Sequence, residues 1–119
     1  MKISIITISY NVEKEIERTM RSVLNQTFKD LEYIVVDGKS KDNTVAIAKS
    51  IAAEYPDRAV RIISEPDKGI YDAMNKGVRE CTGEYIISLN AGDEFADNRV
   101  LDDTVAHINE YMAAGKGCD

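Results

Sequence analysis

Four short polar segments of the sequence carry residue types that bind charged or hydrogen-bonding ligands. They are Ser9-Tyr10-Asn11, Asp37-Gly38, residues 65–69 and residues 90–94. Each follows an apolar run, so each is expected to project from the end of a buried element. Carboxylates in such positions accept hydrogen bonds from ligand N–H and O–H groups or bind hard divalent cations. If folding brings the four segments together, they form a polar ligand site.

The first segment closes the run Thr7-Ile8-Ser9-Tyr10-Asn11. Small side chains followed by a tyrosine predict a ledge on which a flat base lies, with backbone groups free to bond it. Alternatively, Tyr10 packs into the core and Asn11 caps the following helix, since both residue types are common at such junctions. This stretch alone leaves both interpretations open.

Asp37 ends the second apolar run and precedes Gly38. A carboxylate there can accept a hydrogen bond from the N–H of a base or from ribose hydroxyls. An Asp-Gly pair equally favours a turn in which the carboxylate bonds its own backbone two residues on. The residues alone do not decide between ligand binding and turn formation.

Asp93 lies in the segment Asn90-Ala91-Gly92-Asp93-Glu94, directly after the apolar run 85–89. Its carboxylate is suited to Mg²⁺ or Mn²⁺, which prefer oxygen ligands and often share them with a diphosphate. A metal that bridges two phosphates offsets the charge on a nucleotide leaving group. Alternatively, Asp93 caps the next helix.

The rest of the chain alternates strand and helix patterns. Strands are predicted at 3–8, 31–36, 60–63 and 85–89, and helices at 13–25, 43–53, 70–79 and 100–112. Asp42 or Asn43 is expected to cap the second helix, and the third is expected to close near Gly83. Such alternation predicts an α/β fold with a mainly parallel sheet, a Rossmann-like layer whose ligands bind beyond the carboxyl ends of the strands.

Composition and motifs exclude several classes of protein. The 119 residues fit one domain, and 15 Lys and Arg against 21 Asp and Glu give a net charge of -6, which argues against nucleic-acid binding. No apolar run is long enough for a transmembrane segment. Phosphate-binding GxGxxG and GxxxxGK[ST] motifs and a GxSxG motif are absent. His107 is interpreted as structural, and Cys81 and Cys118 as free thiols of a reducing compartment.

Taken together, six strings resemble glycosyltransferase family 2 in order, spacing and context, across nearly the whole chain. They are residues 5–11 (IITISYN), 22–28 (SVLNQTF), 32–44 (EYIVVDGKSKDNT), 67–77 (DKGIYDAMNKG), 82–86 (TGEYI) and 89–94 (LNAGDE). The resemblance implies a GT-A fold that transfers a sugar from a nucleoside diphosphate donor to an acceptor hydroxyl with inversion.

The resemblance also implies roles for particular residues of this chain. Ile8, Ser9 and Tyr10 are expected to line the base and ribose site, and Asp37 to lie at the base or ribose. Asp72, Asn75 and Lys76 are candidate contacts to the diphosphate and sugar. Asp93 matches the last acid of the family's DxD-type motif and is the expected ligand for Mg²⁺ or Mn²⁺.

Two departures from the family pattern bear on the donor and the metal. Gly38 stands where the family often has a second acid that contacts uracil, so dTDP or GDP sugars join UDP sugars as candidates. Asn90 begins the metal motif in place of an acid, leaving Asp93 and Glu94 as its carboxylates. Both variants resemble a subgroup of bacterial cell-surface polysaccharide transferases, so the acceptor is expected to be a glycan or a lipid-linked glycan.

The mechanism implied by the resemblance needs a general base for the acceptor hydroxyl. In this family that acid lies on a later segment, so the base is expected beyond Asp119, and residues 1–119 are expected to be a donor-binding domain truncated before the acceptor half. The protein is expected to be cytoplasmic, peripheral to the inner face of the membrane, and prone to self-association through surfaces the truncation exposes. Alternatives are a noncatalytic nucleotide-binding or interaction module with the same fold, and a receiver-like signalling domain.

Overall fold

Apolar, largely β-branched runs form a four-stranded sheet in the computed structural model, which describes the backbone of residues 1–113 and the side chains of residues 1–110. The strands are β1 (Ile3–Ser9), β2 (Leu31–Asp37), β3 (Ala59–Ser64) and β4 (Tyr85–Ser88). The helices are α1 (Ile16–Leu24), α2 (Thr44–Ala53), α3 (Ile70–Glu80) and α4 (Val100–Ala113). The predicted alternation of strand and helix is confirmed.

The strands lie in the order β3-β2-β1-β4, and every pairing is parallel. The pairing of β1 with β2 ends with Ser9 opposite Asp37, and that of β1 with β4 ends with Ile6 opposite Ser88. The carboxyl ends of these three strands therefore share one edge of the sheet. The order matches the Rossmann arrangement and not the 2-1-3-4-5 order of receiver-like domains, which sets that alternative aside.

Helices cover both faces of the sheet. On one face, Ile3 and Ile5 of β1 pack in a buried cluster with Met20 of α1, Ile51 of α2 and Leu101 of α4. Because side chains alternate along a strand, the next residue, Ile6, faces the other side, where it packs with Ile34, Val36 and Ala73 of α3. The central strands are thus buried on both faces, as their uninterrupted apolar runs indicated.

Gly77 lets α3 lie directly on the sheet. A Cβ at this position would lie 2.9 Å from Cγ2 of Ile6 and 3.3 Å from Cγ2 of Val36. Those contacts are shorter than carbon atoms normally allow, so any larger residue would push α3 outward. The third helix, whose first turn lies at the carboxyl edge, is positioned by this close approach.

The start of α1 differs from the sequence prediction, and the start of α2 agrees with it. α1 begins at Ile16, not near residue 13, because Glu13 is bonded to the loop before α2: its N–H contacts Asp42 Oδ2 and its carboxylate accepts the Asn43 N–H. Asp42, rather than Asn43, supplies the side-chain bonds at the start of α2, accepting the Thr44 N–H at 3.0 Å.

The end of α3 also differs from the prediction. The helix stops at Glu80 because Cys81 is extended, with ψ of 137°, so closure occurs before Gly83. Cys81 is a free thiol whose pKa is raised by burial.

The last residues of the chain, which include Cys118 and Asp119, lie outside the described residues. The interpretation of Cys118 as a free thiol therefore stays a prediction. The general base that the family resemblance implies likewise stays a prediction.

A buried carboxylate, that of Glu32, links neighbouring segments at the opposite, amino-terminal edge of the sheet. The Glu32 side chain is 7% exposed, and its oxygens accept hydrogen bonds from the Ser4 hydroxyl and from the N–H and hydroxyl of Thr82. Burial raises the pKa of Glu32, but these bonds and the charge of Lys2 outweigh it and lower the pKa to about 2. Glu32 therefore holds the α3–β4 connection against β1 as a charged acceptor.

Within residues 1–113, no helix combines the length and the apolar character needed to cross a bilayer. The large apolar side chains that are most exposed include Ile70 and Tyr71 at the start of α3 and Ile86 on β4. β4 and β3 form the two outer edges of the sheet.

Candidate functional site at the carboxyl edge of the sheet

Asp37 is the centre of the hydrogen bonding where β1, β2 and β3 end. Its side chain is fully buried and accepts bonds from the Ser9 hydroxyl (2.8 Å), the Ser40 N–H (2.7 Å) and hydroxyl (2.5 Å), and the Ser64 hydroxyl (3.0 Å). A carboxylate that already accepts four hydrogen bonds has little capacity left to accept one from a ligand. The geometry favours the turn-forming interpretation of Asp37, with the bond made three residues on instead of two.

The loops after β1 and β2 are tied to each other. Asn11 donates its N–H to the Ser40 hydroxyl and accepts the Lys41 N–H on Oδ1, each at 2.8 Å. Asn11 and Lys39 both have left-handed backbone conformations, with φ of 52° and 64°. Asn11 therefore bridges the two loops and does not cap α1, whose N-cap is Glu15.

Tyr10 stands out from this framework, with 52% of its surface exposed. Tyr10 is therefore not a buried residue of the core. Next to it lies Gly38, where an added Cβ would be 3.5 Å from Cδ1 of Tyr10 and 2.7 Å from Oδ2 of Asp67. The tyrosine ring, the bare glycine backbone and the Asp67 carboxylate thus adjoin one another. Ser9 is buried, and Ile8 is half-buried against the cluster that contains Ile6.

Charged residues of α3 bind the loop that precedes this helix. Lys76 donates from Nζ to the Pro66 carbonyl at 2.7 Å and lies 3.2 Å from Glu65 and 3.4 Å from Asp72. Asp72 accepts the Lys68 N–H at 2.9 Å; this bond and the neighbouring lysines lower the pKa of its carboxyl. Asn75 is exposed on the same helix. Asp72 and Lys76 therefore shape the loop between β3 and α3.

Asp93 lies on a loop whose backbone is fixed by α1. Thr19, fully buried, donates its hydroxyl to the Asp93 carbonyl at 2.7 Å and accepts the Gly92 N–H at 2.9 Å. Arg18 donates to the Gly92 carbonyl at 2.8 Å, and Ser22 accepts the Phe95 N–H at 3.2 Å. Four hydrogen bonds with α1 thus hold the backbone of this loop, while the Asp93 residue itself is exposed. α4 begins at Val100, so Asp93 is not its cap.

Three contributors to this edge were not predicted as site residues. Asp67 belonged to a matching string without a role of its own, and nothing in its spacing indicates that it reaches Gly38. Arg18 and Thr19 were only part of the helix predicted at 13–25. For Thr19 a signal was available, because it stands among the apolar positions of this helix. A hydroxyl buried there requires a hydrogen-bond partner.

No cluster of three or more Asp, Glu, His or Cys side chains able to hold a metal is present in the part of the chain that the structure describes. A single exposed carboxylate at the ligand edge still fits the way Mg²⁺ and Mn²⁺ bind with nucleotides, since substrate phosphates and waters complete the coordination. Asp93 satisfies that limited requirement.

A parallel α/β layer of this strand order, with polar loops gathered at its carboxyl edge, defines a nucleotide-binding domain of the Rossmann-like, GT-A type. The family model described as glycosyl transferase family 2 matches residues 4–116. The chain therefore belongs to glycosyltransferase family 2, as the resemblance of its motifs predicted.

Two relatives illustrate the range of the family. The chain is 36% identical over 108 residues to a PGL/p-HBAD biosynthesis glycosyltransferase of Mycobacterium bovis, covering 91% of this chain and 42% of that protein. It is 43% identical over 91 residues to chondroitin synthase of Escherichia coli, covering 76% of this chain and 13% of that protein. The chain thus spans less than half the length of these relatives.

Two solved structures share the fold. TarS 1-349 of S. aureus in complex with UDP-GlcNAc superposes with a TM-score of 0.84 at 26% identity, over 94% of this chain and 32% of that one. The mannosyltransferase PcManGT of Pyrobaculum calidifontis, in complex with GDP-Man and Mn²⁺, gives 0.82 at 27% identity over the same shares. The GT-A assignment is confirmed.

Proposed function

We propose that this protein transfers a sugar from a nucleoside diphosphate donor to an acceptor hydroxyl, with inversion at the sugar carbon, in bacterial cell-surface polysaccharide synthesis. Residues 1–119 supply the donor site, and the acceptor is a glycan or lipid-linked glycan. The observation that carries the proposal is the parallel register that brings the ends of β1, β2 and β4 to one edge. Ligands of open α/β sheets bind at this edge.

The nucleoside part of the donor lies against the loops after β1 and β2. The exposed ring of Tyr10 offers a flat face, and the backbone of Ile8 and Ser9 precedes it at the end of β1. Asp37 acts on the nucleoside through the two serines that it orders, Ser9 and Ser40, because its own oxygens already accept four bonds. Base and ribose are thus bound largely by ring and backbone groups.

The diphosphate and sugar lie between the start of α3 and the loop of Asp93. Helix N-termini favour phosphate groups because their first N–H groups lack helical partners. Asn75 is an exposed polar residue of α3 and is the one we assign to the sugar, while Asp72 and Lys76 keep the preceding loop in place. Asp93 would hold Mg²⁺ or Mn²⁺, which would neutralise charge on the departing nucleoside diphosphate.

Inversion by direct displacement requires a base that takes the proton of the acceptor hydroxyl as the oxygen attacks the sugar carbon. We assign that role to none of the residues named here and place it with the acceptor site. The proposed setting is the cytoplasm at the inner face of the membrane, where nucleotide sugars meet lipid-linked acceptors. Self-association through exposed apolar residues such as Tyr71 and Ile86 belongs to the same proposal.

Nucleotide titration tests the donor site directly. The melting temperature of the chain is followed against UDP, dTDP and GDP, each with and without Mn²⁺, for the natural sequence and for Asp93→Ala. At least one diphosphate is expected to raise the melting temperature, because a ligand that binds only the folded state stabilises it. Asp93→Ala is expected to abolish the metal-dependent part of that rise.

Asp57→Ala is the matched control, since Asp57 is exposed and precedes β3 at the opposite edge of the sheet. It should leave both parts of the nucleotide response intact. A melting temperature unaffected by every nucleotide would favour the alternative of a noncatalytic interaction module. A metal response that survives Asp93→Ala would remove Asp93 from the metal site while leaving the donor site in place.

A further inference from the structure

The Asp67 carboxylate lies directly against the backbone of Gly38. A Cβ built on Gly38 would lie 2.7 Å from Oδ2 of Asp67 and 3.4 Å from its carboxyl carbon. The Asp67 carboxylate therefore occupies the space that a side chain at residue 38 would take. A carboxylate thus lies next to Tyr10 at this point of the edge. It comes from the loop after β3 and not from residue 38 after β2.

The two oxygens of Asp67 differ in what they are able to do. Oδ1 accepts the Gly69 N–H at 3.1 Å, which fixes the orientation of the carboxyl group at the start of α3. Oδ2 points over Gly38 and receives no hydrogen bond or ion pair from the side chains and backbone that the structure describes. One acceptor is thus presented beside the exposed tyrosine ring.

We infer that Asp67 is the residue that selects the base of the donor, and that it selects uracil or thymine. This inference rests on the proposed donor site. A base lying at the Tyr10 ring presents its hydrogen-bonding edge toward Oδ2, and a single free carboxylate oxygen matches a single imide N–H. Uracil and thymine have that group at N3, between two carbonyls.

The other bases fit this acceptor less well. Cytosine and adenine present a ring nitrogen acceptor in the corresponding place, so the carboxylate would face a lone pair. Guanine presents an N–H and an adjacent NH2, which match a carboxylate with both oxygens free. Only Oδ2 of Asp67 is wholly free, because Oδ1 already accepts the Gly69 N–H and guanine would have to share it.

The variant Asp67→Asn tests this assignment without removing the bond that shapes the loop. In this variant the side-chain amide oxygen is held by the Gly69 N–H, since the reverse orientation would set two donors against each other; the amide NH2 then replaces Oδ2. A donor at this point repels the N3–H of uracil and matches the N3 acceptor of cytosine. UDP and dTDP affinity is expected to fall roughly tenfold to a hundredfold, and CDP affinity to rise relative to UDP.

Dissociation constants of UDP, dTDP, CDP and GDP are measured by calorimetry for the natural chain, Asp67→Asn and the control Asp57→Asn. The inference is supported if the natural chain and the control prefer UDP or dTDP and Asp67→Asn loses that preference. It is overturned alone if nucleotides bind but the ratio of UDP to CDP affinity is the same in all three proteins, or if the natural chain prefers GDP. If no nucleotide binds the natural chain, the inference and the proposed donor site fail together.

A second variant tests whether the Asp67 carboxylate must lie against Gly38 for UDP to bind. Gly38→Ala adds a methyl group that displaces the Asp67 carboxylate, a movable end of a side chain, so the fold is expected to persist while UDP affinity falls. Unchanged melting temperature with weakened UDP binding supports the inference. Unchanged UDP binding counts against it, since Oδ2 would then not be needed where it lies.

Discussion

Thr19 and Asp93 are joined by a hydrogen bond of 2.7 Å between the threonine hydroxyl and the aspartate carbonyl, and the same hydroxyl accepts the Gly92 N–H. A buried side chain on α1 thus sets the backbone of the loop that carries the proposed metal ligand. The carboxylate of Asp93 is left to the solvent side. Helix packing and ligand geometry are coupled through one hydroxyl group.

Thr19→Val is expected to loosen this loop, because valine has the shape of threonine but leaves the Gly92 N–H and the Asp93 carbonyl without their partner. The folded state is expected to lose roughly 2–3 kcal/mol, the cost of buried polar groups without hydrogen bonds. Mn²⁺-dependent nucleotide binding should weaken more than metal-independent binding. Chemical denaturation and nucleotide titration measure both effects.

Thr19→Ser keeps the hydroxyl and serves as the control for Thr19→Val. It should retain the metal-dependent part of binding despite losing a methyl group from the core. Equal loss of that part in the serine and valine variants would mean that the hydroxyl does not position the loop.

The low pKa of Glu32 predicts an acid-sensitive fold. A carboxyl whose pKa falls from 4.5 to about 2 on folding stabilises the folded state above pH 4.5, and the contribution disappears as the pH falls toward 2. The shift corresponds to roughly 3 kcal/mol. Glu32→Gln removes the titrating group, so the free energy of unfolding should be lower at pH 7 and should change less between pH 4.5 and pH 2.

Glu84→Gln is the comparison for Glu32→Gln, since Glu84 is an exposed carboxylate close to the same edge of the sheet. Its pH profile of stability, measured by urea denaturation, should follow that of the natural chain. If Glu32→Gln has the natural profile as well, the buried carboxylate is not the source of acid sensitivity.

Gly77→Ala tests the close approach of α3 to the sheet. The added methyl group meets Ile6 and Val36, and overpacking of this kind outweighs the better helix propensity of alanine, for a net loss of roughly 1–2 kcal/mol. Thermal or urea unfolding measures the loss. Ser50→Ala, on the exposed side of α2, makes a comparable gain in propensity without a clash and should not destabilise the protein. A Gly77→Ala protein as stable as the natural chain would show that α3 has room to move.

Substitution of Lys76 distinguishes a structural role of this residue from a direct role in phosphate binding. Its ammonium is surrounded by Glu65, Asp72 and the Pro66 carbonyl, so Lys76→Met is expected to lower the melting temperature of the ligand-free chain by a few degrees. The accompanying loss of nucleotide affinity should be similar for nucleoside monophosphates and diphosphates. A loss confined to diphosphates, at unchanged melting temperature, would instead assign Lys76 to the ligand.

Periodicity was sufficient to predict the fold. The runs around Ile5, Ile34 and Ile87 are buried or half-buried strands, and their parallel order follows from the helices between them. The start of α1 was predicted less well, because side chains from a distant segment decide it: Glu13 is bonded to the loop before α2. Spacing along the chain carries no information about such pairings.

The residues of the candidate site were predicted from sequence motifs, but their hydrogen-bond partners were not. Tyr10 and Asp93 are exposed at the carboxyl edge, as a ligand role requires. Asp37 looks identical in sequence whether it is free or buried, and only the convergence of Ser9, Ser40 and Ser64 shows that it is an internal acceptor. Asp67 could not be assigned a role because its relation to Gly38 depends on the path of a loop.

The cross-bonding of Asn11 with Ser40 and Lys41 has a consequence for how a ligand enters. Two loops that would otherwise sample many conformations are locked together by the protein's own hydrogen bonds, so their ordering entropy is lost during folding and not on association. Capture of the nucleoside should therefore proceed by direct docking, at a rate set by encounter and not by a slow loop rearrangement.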